Sequence, residues 1–467
     1  MANPFSKLKD YYKSGTRENL YVSDGAVPFR YGIGYGLIHV MAMFLSNIAP
    51  ALIVLTIIDC PAAIIDNAIR SSIFFAGIGT AIQLFPIWRI GSKLPVFIGT
   101  SFTFIGLFSS IIVEYGIGTL FIAIIVGGVL LLIHGLVGGR IHRIIKPIVS
   151  ALVVLGLGLS LIQVSINDML SVNVGANVLH GQYQIQNAWP YLIVGFSTLT
   201  IAVLWQAFIP DPWKGMSLIV SLVLGYIIAL CFPGMIDFSK ISFSSVTDFI
   251  NVPRPIFVLQ SFSMADFKIG PIISVAIIYY ISSTEIIGAV SATTNTAFSR
   301  DPTNREISGA ISGIGFVSAL AGAFGAMPFV VYSQGAGIIG QNKVINRFAL
   351  LTGAIFLIVA SFLPPISAII STVPSAVIGG ALLYVFASIA LSGIKMIVDA
   401  GLNKKNIFIA AITLGLGFGI TLVPSIKSIM TDNEFAIALI QIITNPVATM
   451  FLISLPLSYL IPDSYNK

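Results

Sequence analysis

"LPVFIGTSFTF", Leu94 to Phe104, and "MPFVVYSQGAG", Met327 to Gly337, start half a chain length apart in a sequence of 467 residues. Each sets a proline early, follows it with a β-branched and aromatic run, and ends on a serine among small neighbours. Such a run favours extended backbone over helix. Both sit in strongly apolar surroundings, where lipid offers no partner to an extended chain's N–H and C=O groups. Extended backbone at membrane depth is tolerated only where it is buried in protein or lines a cavity. Paired interruptions at matching places in two halves point to a transporter's binding site. Ordinary Gly/Pro-kinked helices, common in membranes, are the alternative reading.

The medium follows from composition. The chain is 56% hydrophobic and 9% charged, with a mean hydropathy of +0.97. A soluble domain carries about 25% charge, which excludes a water-soluble globule. Apolar runs match the roughly 20 residues that a helix needs to cross a bilayer. The expected fold is an all-α polytopic membrane protein of about 14 spans. Their centres fall near residues 44, 76, 104, 128, 156, 197, 224, 282, 317, 336, 354, 385, 413 and 447. Cys60 and Cys231 suggest no disulfide framework, and no His/Cys cluster has metal-ligand spacing. No cofactor is expected.

The net charge of +6 is scattered singly over many short loops, which argues against a nucleic-acid partner and for positive-inside topology. Residues 1–27 are polar, lack a signal peptide's apolar core, and read as a cytosolic arm. With that end inside, alternation puts 19 Lys and Arg inside and 5 outside (Arg70, Lys240, Arg254, Lys268 and Lys427). The inside set includes Arg140, Arg143 and Lys146 in one loop. Acidic residues divide almost evenly, 8 against 9. The longest polar connection, 235–270, falls mid-chain and outside. It divides the spans into two sets of about seven, and an odd set re-enters the membrane inverted.

One further feature stands alone. In "IIYYISSTEIIGAVSATT", Ile277 to Thr294, Glu285 is the one charge, and no other occurs from Gly270 to Ser299. An acid at mid-helix costs about 2.5–3.5 kcal/mol on insertion scales, so it has a polar partner or serves a cavity.

Five collinear stretches carry a resemblance: "GLIHVMAMF" (Gly36 to Phe44), "LPVFIGTSF" (Leu94 to Phe102), "SSTEIIG" (Ser282 to Gly288), "GFVSALAGAFGAMP" (Gly315 to Pro328) and "YSQGAGII" with "KVINRF" (Tyr332 to Phe348). The chain resembles the nucleobase–ascorbate transporter family, also called nucleobase–cation symporter-2 or xanthine/uracil permeases, from about Val27 to Pro462. The resemblance implies 14 segments in two inverted repeats of seven. Their third and tenth segments are half strand and half helix, with short antiparallel strands that meet at the substrate. It implies a substrate-carrying core of residues 28–138 and 271–363. Residues 139–234 and 364–462 would form a gate that also makes a homodimer contact.

The resemblance assigns Glu285 to the nucleobase, whose N–H donors a carboxylate can accept. A glutamate serving only helix packing is the bland alternative. Gln334 matches a position that is Gln in many purine transporters and Glu in uracil transporters; a structural amide would look the same. Phe102 matches an aromatic packed on the ring. Ser101, Gly99, Ser333 and Gly335 would offer backbone groups at close approach. His39 matches a histidine near the site, with a packing role equally open. His134 reads as structural, and His142 and His180 as loop residues. The chain departs from the pattern at Ala289 and Ile314, where relatives have Asp, and at Gly335, Phe329 and Asn342. Ile307 to Asn342 carries no charge, which leaves Glu285 as the core's one carboxylate and its proton-coupling candidate.

The function implied is secondary-active uptake of a purine of the xanthine or uric acid type, by an elevator-like movement coupled to H⁺, with Na⁺ the alternative ion. Competing readings are a uracil or other pyrimidine transporter, a sulfate/bicarbonate-type anion transporter of the same 7+7 fold, and an uncoupled facilitator. An enzyme is the least favoured, since no Ser/His or paired-Asp arrangement sits on credible neighbouring spans.

Overall fold

A computed structural model of the chain describes residues 15–56, 58, 60–137, 145–170, 188–210, 213–236, 238, 251–423 and 434–462. Arg140, Arg143, His142 and His180, and most of the 235–250 connection, lie outside the described residues.

The described chain is a succession of apolar helices with two short strands. Its first half runs α1 (Phe29–Thr56), α2 (Ala62–Leu84), β1 (Ile98–Thr100), α3 (Ile105–Val137), α4 (Pro147–Met169), α5 (Ala188–Phe208) and α6 (Ser217–Ala229). The second continues with α7 (Ile269–Phe298), α8 (Asn304–Ala323), β2 (Phe329–Val331), α9 (Gln334–Asn342), α10 (Arg347–Ser361), α11 (Pro364–Ser371), α12 (Ser375–Asp399), α13 (Lys404–Gly419), α14 (Glu434–Ile443) and α15 (Pro446–Leu460). Among the described residues, seven helical stretches are long and apolar enough to cross a membrane. One of them, Phe102–Val137, is two limbs folded at Gly116, whose φ of 82° and ψ of 177° suit a residue without Cβ.

Helix pairing follows the small residues. α12 lies along α4, where a Cβ added to Gly158 would stand 2.2 Å from the Ala390 nitrogen. α3 lies along α8, where a Cβ on Gly135 would stand 2.3 Å from the Ser312 nitrogen. In lipid no hydrophobic force draws helices together, so close backbone approach through small residues supplies the dispersion contact. α10 packs on α1 and α2, and α15 on α4 and α13.

The polar arm is fastened down. Over residues 15–27 it docks on the α9–α10 connection through Ile345 N to Leu20 O (3.0 Å), Arg347 N to Ser23 O (3.1 Å) and Asn346 Nδ2 to Gly25 O (3.0 Å). Arg347 also pairs with Asp24 and donates to the Leu84 carbonyl at the end of α2. Leu20 and Val27 bury against Val344 and Ala349 beneath.

Candidate functional site

The two strands pair antiparallel, with Ile98 opposite Val331, Gly99 opposite Val330 and Thr100 opposite Phe329. Strand partners therefore lie half the chain apart, in keeping with the echo in the sequence. All six residues are buried. A three-residue pair leaves backbone groups over, and side chains from neighbouring helices take them. Thr80 Oγ1 accepts from Ile98 N (3.1 Å), Asn47 Oδ1 from Thr100 N (3.0 Å), and Ser318 Oγ from Phe329 N (3.0 Å). Ser101 N reaches Pro328 O (2.7 Å), and Tyr332 N reaches Phe97 O (3.0 Å). Extended backbone is thus satisfied at membrane depth.

Gly99 is required by this crossing. A Cβ there would lie 2.2 Å from Cε2 of Tyr332, whose hydroxyl donates to Thr100 O at 3.2 Å.

Beyond each strand the chain turns helical. Ser101 is buried, and its hydroxyl oxygen accepts from Thr103 N at 3.3 Å to start the helix after β1. Thr103 in turn donates to Glu285 Oε1 at 2.5 Å. Glu285 is buried on α7, and among the described residues its side-chain partner is this hydroxyl, which fixes one oxygen of the carboxylate. On the other limb Gln334 opens α9 with its Oε1 buried and, among the described residues, without a partner. Gly335 is buried and faces α1, where a Cβ would stand 3.9 Å from His39 Nδ1. His39 stacks on Phe97 at 5.0 Å and 10°, and its Nε2 has no partner among the described residues. Ser333 is exposed.

Two cavities flank the crossing. One, of about 190 Å³, is lined by Gln334, Gln341, Lys214, Ser217, Tyr384 and Ser388 among others. The other, of about 140 Å³, is lined by Phe102, Thr103, Gly106, Ser160, Thr421 and Asn445 among others. Phe102 meets Phe386 of α12 edge to face at 4.9 Å. The structure therefore links Ser101 and Glu285 through Thr103, next to Phe102 in the chain, and sets Gly335 beside His39, which stacks on Phe97. Phe102 and Gln334 open on separate cavities. Ala289 and Ile314 are buried apolar residues.

Sequence reasoning passed over Thr103, Asn47 and Phe386. Thr103 lies inside the quoted strand–helix stretch, and Asn47 is a lone amide in an apolar helix; both were visible as misplaced polarity. Phe386 carries no such signal among 32 phenylalanines.

Apolar helices around two buried strand–helix limbs, with polar groups converging where the strands meet, define a multi-pass membrane transporter. The profile described as "Permease family", of the xanthine/uracil permeases, matches residues 32–426. The chain belongs to this family, the nucleobase–ascorbate transporters, and is not an enzyme. It is 28% identical to the xanthine permease XanQ of Escherichia coli (strain K12) over 458 residues, covering 94% of this chain and 93% of that one. It is 29% identical to a xanthine permease of Bacillus subtilis (strain 168) over 398 residues, covering 84% and 86%. In fold it is similar to the transmembrane domain of a cyanobacterium bicarbonate transporter, BicA, with a TM-score of 0.59 at 16% identity, covering 90% of this chain and 96% of that one. Nucleobase transport is the activity that this membership supports.

Proposed function

We propose that the protein imports an oxopurine of the xanthine or uric acid type across the cell membrane by H⁺ symport. The observation that carries this reading is the buried Glu285 carboxylate, anchored at one oxygen by Thr103 of the first limb, together with Gln334 Oε1 on the second limb and His39 Nε2 on α1, both buried and without a partner among the described residues. A purine edge offers N–H donors and carbonyl acceptors together, and carboxylate, amide and imidazole can meet both kinds. The two xanthine permeases among its relatives support the same class.

In this reading the chain crosses the membrane about 14 times as two inverted repeats, with both termini in the cytosol and residues 235–270 outside. Residues 28–138 and 271–363 form the moving core, and residues 139–234 and 364–462 form the gate and the homodimer contact. The extensive pairings of α3 with α8 and of α4 with α12 each fall within one of these units, which supports the division. Loading the base and protonating Glu285 together discharge the core, so that it can slide past the gate.

The likeness to a bicarbonate transporter favours anion transport as a second reading. A fixed carboxylate beside an anion costs affinity, and Glu285 argues against it. Uptake of labelled xanthine, uric acid, guanine, uracil and sulfate, with and without a protonophore, tests these readings. Protonophore-sensitive accumulation of xanthine or uric acid is expected; sulfate uptake alone would overturn the proposal.

A further inference from the structure

An apolar crevice of about 410 Å³ opens beside the first turns of α1, lined by Tyr31, Tyr35, Ile38 and Met41 and, from the turn before α6, by Trp213 and Met216. Arg30 stands in its wall, with its guanidinium 4.7 Å from the Tyr31 ring centre and donating to the Tyr31 hydroxyl at 3.1 Å. Arg17 lies 5.5 Å from the same ring. Two guanidinium groups therefore share one phenol, and neither enters any of the three ion pairs among the described residues. Arg17 is not free to drift, because the docked arm holds it: Tyr31 and Tyr35 pack against the Leu20, Val27, Val344 and Ala349 cluster. Like charges held together outside any ion pair call for an anion, and an apolar slot beside them calls for a hydrocarbon. One molecule supplies both.

We infer that this crevice binds an anionic phospholipid, with one acyl chain along Tyr35, Ile38, Met41 and Trp213 and its phosphate at Arg30 and Arg17. The geometry suits a membrane lipid because the slot is a wall of a membrane-spanning helix, with Arg30 in that helix's first turn and Arg17 of the docked arm over the same Tyr31 ring. Positive side chains at the membrane surface attract anionic lipid by about 1 kcal/mol each. This site is independent of the nucleobase reading. In the core-and-gate reading it lies in the seam between the moving units, since α1 belongs to one and α6 to the other.

Trp213 makes the test direct. The full-length protein is reconstituted in phosphatidylcholine vesicles containing either phosphatidylglycerol or phosphatidylcholine with brominated acyl chains. Quenching of Trp213 emission is isolated by subtracting a Trp213→Phe variant. Brominated phosphatidylglycerol is expected to quench at a lower mole fraction than brominated phosphatidylcholine. Arg17→Gln and Arg30→Gln should each raise that fraction about five-fold, whereas Arg17→Lys and Arg30→Lys, which keep the charge, retain the preference. Gly34→Leu fills the slot; a Cβ at Gly34 meets nothing within 4 Å, so the chain accommodates it, and quenching should fall to that of bulk lipid. Equal quenching by the two lipids overturns the proposal. So does a preference that survives loss of both arginines, or quenching untouched by Gly34→Leu.

Discussion

Thr103 donates its hydroxyl hydrogen to Glu285 across 2.5 Å, so the limb that follows β1 is tied to α7 through a buried carboxylate. This bond orients the acid: one oxygen is occupied and the other keeps its lone pairs. Thr103→Val preserves shape and removes the donor. A hydrogen bond to a charged group contributes about 1.5–3 kcal/mol. Apparent substrate affinity should therefore fall by roughly ten-fold or more, while Thr103→Ser keeps it. Competition of labelled-substrate uptake by unlabelled base measures both, and equal affinities for Val and Ser would remove Thr103 from the site.

Glu285→Gln keeps the volume and one acceptor but cannot exchange a proton at that position. Uphill accumulation should vanish, and binding should weaken by roughly 10- to 150-fold. Binding by the purified variant and uptake into energised vesicles separate the two effects. Retained accumulation that a protonophore still collapses would move the proton elsewhere, and His39, with its partnerless Nε2, stands next.

Gln334→Glu replaces an amide donor by acceptors beside a cavity that also holds Lys214. Xanthine-type substrates should compete less well and uracil better. The check is a competition profile over purines and pyrimidines, and an unchanged profile would mean that Gln334 does not face the base.

Gly99→Ala drives a methyl into the Tyr332 ring, 2.2 Å away, and close to Asn47 Oδ1, 2.9 Å away. Overpacking of this kind costs about 1–3 kcal/mol, occasionally more. The thermal midpoint in detergent should fall. Gly106→Ala, whose nearest neighbour would be 3.8 Å away, should leave the midpoint unchanged. Equal midpoints would mean that the crossing is softer than its contacts imply.

Much of this was legible in the sequence, for physical reasons. Lipid forbids an unsatisfied backbone, so the proline-led β-branched runs at Leu94 and Met327 could be read as exceptional before any coordinates. A lone Glu285 in an apolar helix is conspicuous because charge there is costly. What stayed hidden depends on three-dimensional company. Thr103 resembles any helix threonine until α7 is laid beside it. Phe386 is one apolar residue among many. The docking of residues 15–27 was hidden too, because the polar composition that suggested a loose arm also supplies the Asp24, Asn19 and backbone groups that fasten it.

The strand pair joins residues made far apart in time. When Ile98 and Thr100 leave the ribosome, half the chain has still to be synthesised before their partners Val331 and Phe329 appear. Until then, among the described residues, the Thr80 and Asn47 side chains are the groups of the first half that accept from its backbone N–H groups. The early half must therefore wait with its strand unpaired, and the second half completes the pair as a clasp. Produced as separate chains divided in the middle connection, the halves would each carry one strand. Neither can pair its strand alone, so transport should return only when both are made in the same membrane.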